Sequence, residues 1–218
     1  MSLNLKQNVK CPKCSQMSEV TVWNSITVKD SEDLKHDLLT GKVNMFRCPS
    51  CSYSALMPTP MLYHDEDKRL MISFSPCDDV VLKSQLFDNV QKSSKESGEL
   101  DKLEGYNLRF VTDYNELLEK ILIFDNDMND KTIKLMVLSQ DLEKAEQRVC
   151  RFGKCQDEVI EFMIYDTIEN QTYTSKVPKE TYDTIHKQLL ESGMKPYSFG
   201  WEMVDASYAT RLLNGFNN

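Results

Sequence analysis

The chain is poor in the residues that interrupt regular structure, with 7 glycines and 7 prolines among 218 residues. That scarcity excludes collagen-like and low-complexity architectures. No run of 18 or more apolar residues occurs, so no membrane-spanning helix is expected. Residues 1–7 lack a basic head followed by an apolar stretch, so no signal peptide is expected and the expected location is cytoplasmic. Gly-rich phosphate loops, a Gly-x-Ser-x-Gly elbow and a His-Glu-x-x-His helix are all missing. Their absence removes the usual sequence arguments for a standard enzyme. Basic excess is missing too. Net charge is −8, with 9 Lys/Arg against 8 Asp/Glu in residues 1–76 and 17 against 26 in the rest. Neither part carries the positive charge that binding a phosphate backbone needs, so nucleic acid is disfavoured as a partner.

What remains is a chain that is 40 % hydrophobic and 28 % charged, enough to bury a core and stay soluble. Its seven cysteines stand out. An odd count without an export signal argues against a disulfide framework. Four of them form two copies of one tetrad, Cys11-Pro12-Lys13-Cys14 and Cys48-Pro49-Ser50-Cys51. Two residues between cysteines allow a tight turn to aim both sulfurs at one point, and two such turns supply a closed tetrahedral site. Proline after the first cysteine pre-sets φ for the turn. A structural zinc ion held by Cys11, Cys14, Cys48 and Cys51 is therefore expected, with no coordination position left for a substrate. A redox dithiol is the competing reading, and it requires a helix starting at the second cysteine. Cys14 leads into an alternating Met-Ser-Glu-Val-Thr-Val-Trp run and Cys51 into Ser-Tyr-Ser-Ala-Leu, neither of which starts a helix.

The expected fold class is α+β. A β-rich, zinc-ribbon-like module over 1–76 is followed by a mainly helical segment over 77–156 and a small α+β subdomain over 157–218. In the first, strands are expected over 4–10, 17–28, 43–47, 53–57 and 70–74. Ser31 to Gly41 carries a helix signature, with Ser31 as cap and Gly41 as stop. Residues 63–69 read as a hairpin loop. Further on, 78–97 reads as a helix with Val81, Leu82, Leu86 and Val90 on one face, 93–102 as a flexible charged stretch, and 106–111 as a strand. Helices are expected over 113–124 and 129–146. The last third reads as strands at 159–165, 172–177 and 197–204 with helices at 178–191 and 206–213, Pro178 standing at a helix start.

With these elements placed, residues 9–76 resemble the CpXC domain family, named for its two Cys-Pro-x-Cys motifs. The resemblance is carried by both tetrads, Val22-Trp23-Asn24-Ser25-Ile26, the helix ending at Gly41, Met45-Phe46 before Cys48, and Leu62-Tyr63-His64-Asp65. It extends to about residue 125 and more loosely beyond. It implies a bacterial, soluble, zinc-binding protein and brings no reaction with it.

Other candidates have bland readings beside the functional ones. His64-Asp65 can form an acid–base pair or simply polarise a loop tip. His36 reads as solvated and His186 as packed. Asp125, Asp127 and Asp130 imitate part of a calcium loop without its glycine or terminal glutamate, so helix capping is favoured. Cys150 and Cys155, near Arg148, Arg151 and Lys154, can be low-pKa thiols or inert, and Cys77 reads as inert. Trp23 and Trp201 read as packing anchors. Taken together, a zinc-stabilised protein-interaction module is the leading expectation. A nucleic-acid-associated zinc ribbon, with Lys10, Lys13, Lys42 and Arg47 beside the knuckles, and an enzyme using an inter-domain cleft are the alternatives. No catalytic residue is assigned.

Overall fold

Residues 3–27 mix Val, Thr and Trp with alternating polar side chains, which suits a half-buried strand pair. In the computed structural model, which describes residues 1–98, 100–140 and 147–216, they form β1 (Leu3–Lys10) and β2 (Met17–Thr27), an antiparallel hairpin. The first Cys-Pro-x-Cys tetrad is its turn. The fold is α+β, and the chain divides into two compact units. One is Met1–Leu118 with Phe199–Trp201, the other Glu119–Ser198 with Glu202–Asn218.

The first unit is built on a five-stranded sheet of order β1-β2-β5-β6-β7, where β5 is Met61–Asp65, β6 Leu70–Phe74 and β7 Asn107–Val111. β2 runs parallel to β5 and β6 parallel to β7, while β5 and β6 form an antiparallel hairpin. Between β2 and β5 lie the helix α1 (Glu32–Leu39) and a second hairpin, β3 (Met45–Arg47) with β4 (Ser54–Leu56), which carries the second tetrad at its turn. The start of α1 is fixed by Ser31, whose hydroxyl accepts the Leu34 amide at 3.3 Å, and Gly41 at φ +69° follows its end. Leu34 and Leu38 of α1 are buried, as are Tyr63, Leu70, Ile72 and Phe74 of the sheet. Each such side chain contributes roughly 1.5–3 kcal/mol through area removed from water. The helix α2 (Val80–Glu96) is capped by Asp79, which accepts the Leu82 amide at 2.8 Å.

Three expectations for this unit need correction. β5 continues through Tyr63 and His64 to Asp65, so the loop is confined to 66–69; the polar pair reads as loop but pairs with Met71 and Leu70 in the ladder. The stretch 93–102 is partly helical, since α2 runs to Glu96 and a 3-10 turn covers Leu100–Leu103, with Glu99 outside the described residues. Val81 and Leu82 are exposed, so only Leu86 and Val90 of the expected stripe turn inward. Helix α3 (Tyr114–Asp125) begins in the first unit and ends in the second.

The second unit holds α4 (Asp130–Ser139), the antiparallel meander β8 (Arg148–Gln156), β9 (Val159–Asp166) and β10 (Gln171–Pro178), and helices α5 (Lys179–Glu191) and α6 (Ala206–Phe216). Asp157 and Glu158 both take positive φ, the geometry of a two-residue hairpin turn that matches strand twist. Phe152, Ile160 and Phe162 pack with Ile133, Met136 and Tyr182 in one core. Two further corrections fall here. β8 is a strand that the apolar pattern did not reveal, because its register shifts between Phe152 and Lys154 and the alternation slips at Gly153. Glycine suits that point: a Cβ there would stand 3.1 Å from the Glu161 carbonyl oxygen. Residues 197–204 are irregular instead of a strand, with nearby carbonyls spent on helix side chains. Val204 O accepts from Lys120 Nζ at 2.6 Å and Pro196 O from Asn129 Nδ2 at 3.2 Å. Of the helix expected over 129–146, α4 covers Asp130–Ser139, and residues 141–146, Leu142 among them, lie outside the described residues.

α4 is buried from Asp130 through Met136, charges included. Asp130 pairs with Lys120 at 2.8 Å, Lys131 with Glu202 at 3.0 Å, and Lys134 with Glu119 at 3.1 Å. Glu119 also accepts the Phe152 amide of β8 at 2.8 Å. Buried pairs of this kind cost desolvation when formed, but losing one partner strands a charge. Asp130→Ala is therefore expected to lower unfolding free energy by about 3–5 kcal/mol, while the double change Lys120→Met with Asp130→Leu recovers most of it. Urea unfolding of the wild type and the two variants checks this; equal losses for single and double changes would contradict it.

Candidate metal centre

The two tetrads fold into the same turn. In the first, the Cys11 amide donates to Gln16 O at 2.9 Å and the Ser15 amide to Cys11 O at 2.9 Å. In the second, the Cys48 amide donates to Tyr53 O at 2.8 Å and the Ser52 amide to Cys48 O at 3.1 Å. Ser15 and Ser52 stand at φ +63° and +56°, the left-handed region where zinc ribbons often place glycine. Holding two serines there costs roughly 1–2 kcal/mol each. Both turns accept that strain, and both aim their cysteines at one point.

The four sulfurs lie within 4.8 Å of one another. Cys11 Sγ is 3.6 Å from Cys51 Sγ, and Cys14 Sγ is 3.5 Å from Cys48 Sγ. A tetrahedron with metal–sulfur bonds of about 2.3 Å has edges of about 3.8 Å. The donor set thus fits a four-coordinate ion, and the close pairs are too long for disulfides. Backbone amides already point at the sulfurs: Gln16 at Cys14, Tyr53 at Cys51, and both Ser50 and Cys51 at Cys48. Such donors disperse thiolate charge around a metal.

Without a cation the thiols compete. Burial opposes ionisation of Cys48, but the amides of Ser50 and Cys51 and the thiols of Cys14 and Cys11 outweigh it and bring Cys48 down to about 6. At Cys14 the Gln16 amide favours the thiolate, yet the hydrogen bond shared with Cys48, burial and the other thiols prevail and push it up to about 12. Cys51 is also raised, the Tyr53 amide being outweighed by burial and by its cysteine neighbours. One thiolate forms easily and the next are resisted. A dication removes that conflict, because metal binding replaces the protons. The four cysteines form a cluster able to hold a metal ion.

The cluster is also the core of its hairpins. Cys11 and Cys48 are buried with Phe46, and Val9, Val20, Tyr53 and Met57 pack around them. Asn44, which the sequence reading did not single out, ties the second hairpin to β2. It is buried at φ +53°; its Oδ1 accepts the Trp23 amide at 2.7 Å, and its Nδ2 donates to Trp23 O at 3.0 Å and Thr59 Oγ1 at 2.8 Å. Asparagine tolerates left-handed backbone and can imitate a strand edge, and its place just before β3 was the available clue.

The remaining candidates are not brought together. His64 and Asp65 are neighbours on β5, so their side chains leave opposite faces of the sheet, and they form no acid–base pair. His64 Nε2 meets the Tyr106 hydroxyl at 3.3 Å. Asp65 pairs with Lys35 at 2.9 Å and accepts from Tyr63 OH and the Lys68 amide, each at 3.2 Å. His36 is exposed; His186 stacks on Tyr182 and meets Thr132 Oγ1 at 2.8 Å. Asp130 is spent on Lys120, and Asn129, not an aspartate, caps α4. Cys150 and Cys155 pack against the second unit's core, and burial pushes the Cys155 thiol up, opposite to a reactive cysteine. Cys77 donates to Asp79 O at 3.3 Å. Lys10, Lys13 and Arg47 are exposed near the tetrads, while Lys42 is paired with Asp37 at 2.9 Å.

The Asp65 contacts have a pH consequence. Burial alone would raise this carboxyl, but the Lys35 ammonium, the Lys68 amide and the Tyr63 hydroxyl outweigh it and hold it below the usual carboxylate range. A depressed carboxyl stabilises the fold above its unfolded-state pKa, and that contribution is lost as pH falls through the folded-state value. Wild type is thus expected to exceed Asp65→Asn in stability at neutral pH, with the gap closing on acidification. Unfolding midpoints measured across pH check this; a gap that widens in acid would contradict it.

The sequence profile of the CpXC protein family matches residues 9–137, a span that contains all four cysteines. No curated protein and no solved structure matches the chain. The family match covers more than half of the 218 residues and includes both turns of the sulfur cluster, so the protein belongs to the CpXC protein family.

Proposed function

We propose that the four cysteines bind one zinc ion in a purely structural role, and that the protein serves as a protein-interaction module. The observation that carries the structural reading is the burial of Cys11 and Cys48 inside the small core they share with Phe46. Four thiolates complete a tetrahedral shell, so no ligand position remains for a substrate. Soft sulfur donors in that geometry favour zinc among common divalent ions. No helix among the described residues is long and apolar enough to cross a membrane.

The interaction role is supported by the outer face of the β8-β9-β10 sheet. Its buried face includes Phe152 of β8 and Ile160, Phe162 and Ile164 of β9, so the alternate residues of β9 point outward. Met163 and Tyr165 remain 46 % and 40 % exposed, and Val149, paired with Tyr165, 41 % exposed. Arg151 and Thr174 flank Met163 across the strands. An aromatic and a methionine with a polar rim match the composition of protein interfaces.

Two outcomes are expected. Zinc binding supplies on the order of 10–16 kcal/mol in zinc-finger peptides, comparable to a whole domain's stability. Cys48→Ser, or chelation of the wild type, is expected to release zinc and abolish amide-exchange protection over residues 9–57, while β8–β10 stay protected. Unchanged protection in the metal-free protein would rule out a structural role. Met163→Asp is expected to keep the fold and cut recovery of a captured protein partner about tenfold or more. Equal recovery by wild type and variant would show that this face is not the interface.

A further inference from the structure

The β5-β6 hairpin has two unlike faces. One is closed, with Tyr63, Leu70, Ile72 and Phe74 all buried. Over the other runs α2, an amphipathic helix of which no residue is fully buried. Phe87 reaches Phe110 of β7, ring centroids 5.6 Å apart. Further along α2, Gln91 Nε2 donates to Trp201 O at 2.8 Å and the Trp201 indole N–H to Ser94 Oγ at 2.8 Å. The helix is therefore pinned at both places, and between it and the sheet a cleft of about 600 Å³ is left. That volume is in the range of small-molecule sites.

Its walls are aliphatic: Leu62 and Met71 from the sheet, Leu86 and Val90 from α2, and Leu103, with Trp201 closing one side. Trp201 is 6 % exposed and its indole N–H is already used, so it offers a ligand its ring surface. Among the described lining residues Lys102 is the one charged side chain, and no acidic group accompanies it. It belongs to the 3-10 turn Leu100–Leu103 and is exposed. In a chain of net charge −8, an apolar cleft whose one charged side chain among the described lining residues is a cation favours charge of the opposite sign. Ser73, Asn89 and Ser93 add uncharged donors. The stripe from Leu86 to Ser94 spans about 12 Å of helix, which sets the length of an extended occupant.

We infer that this cleft binds a single-chain amphiphile bearing one carboxylate, of the class of a medium-chain fatty acid, with its chain between α2 and the sheet and its head at Lys102. The inference is independent of the zinc ion and of the outer face of the second unit. It requires α2, β5, β6, the 3-10 turn that carries Lys102 and Leu103, and the Trp201 contact.

Calorimetric titration of the full-length, metal-replete protein tests it, with decanoate as probe below its micellar concentration. Decanoate is expected to bind one per chain. Octanoate is expected to bind about 15-fold more weakly, since each buried methylene is worth about fourfold. Decanol and decylammonium are expected to bind several-fold more weakly than decanoate, and Lys102→Met to remove the preference for the carboxylate. Ser73→Phe, which fills the cleft, is expected to abolish binding, with an unchanged thermal midpoint showing that the fold is intact. In a Trp23→Phe background, Trp201 fluorescence is expected to shift on binding. No decanoate binding at millimolar concentration, decylammonium binding as tightly as decanoate, or undiminished binding to a folded Ser73→Phe variant would each overturn the assignment.

Discussion

Four cysteine sulfurs held within 4.8 Å of one another are the constraint on which the N-terminal unit turns. Sulfur is soft and nearly apolar as a thiol, but four thiolates at that separation repel strongly. Cys48 ionises readily at about 6 while Cys14 resists to about 12, the signature of groups that cannot all carry charge alone. A dication converts this repulsion into four bonds. Bound there, it would lock together two hairpins that already share Phe46, Tyr53, several aliphatic side chains and the Asn44–Trp23 hydrogen bonds. Two left-handed serines and the amides aimed at the sulfurs make sense in that light, since both hold the turns in the conformation that a closed site needs.

The second unit solves a similar problem without sulfur. α4 is surrounded on all sides along its first two turns, and its charged side chains are matched individually, Asp130 to Lys120, Lys131 to Glu202 and Lys134 to Glu119. Buried ion pairs add little net stability, but they penalise every arrangement that leaves one partner alone. The first unit is thus organised by one centre and the second by several paired contacts spread along a helix. α3, which spans both units, contributes Leu117 to buried apolar packing and Glu119 and Lys120 to the pairs.

Much of this was legible in the amino-acid order because it depends on local chemistry. The duplicated tetrads mark the sulfur turns, Ser31 and Gly41 bound α1, and Pro178 marks the start of α5. What was hidden depends on partners far along the chain. β8 is hidden because its register shifts around Gly153 and breaks the alternation, and the apolar residues of 197–204 resemble a strand although Val204 O serves Lys120 and the adjoining Pro196 O serves Asn129. Charges on α4 look like a solvated face until Glu119, Lys120 and Glu202 arrive from elsewhere. His64 and Asp65 suggest a pair only while they are read as a loop; within a strand, adjacency sends them to opposite sides.

Zinc K-edge X-ray absorption on the purified protein, with elemental analysis of the same sample, addresses the sulfur centre most directly. A structural site predicts one zinc per chain surrounded by four sulfur scatterers at about 2.3 Å, with no nitrogen or oxygen neighbour in the inner shell. Protein that is fully folded yet carries no stoichiometric metal, or a metal whose inner shell contains oxygen or nitrogen, would contradict it.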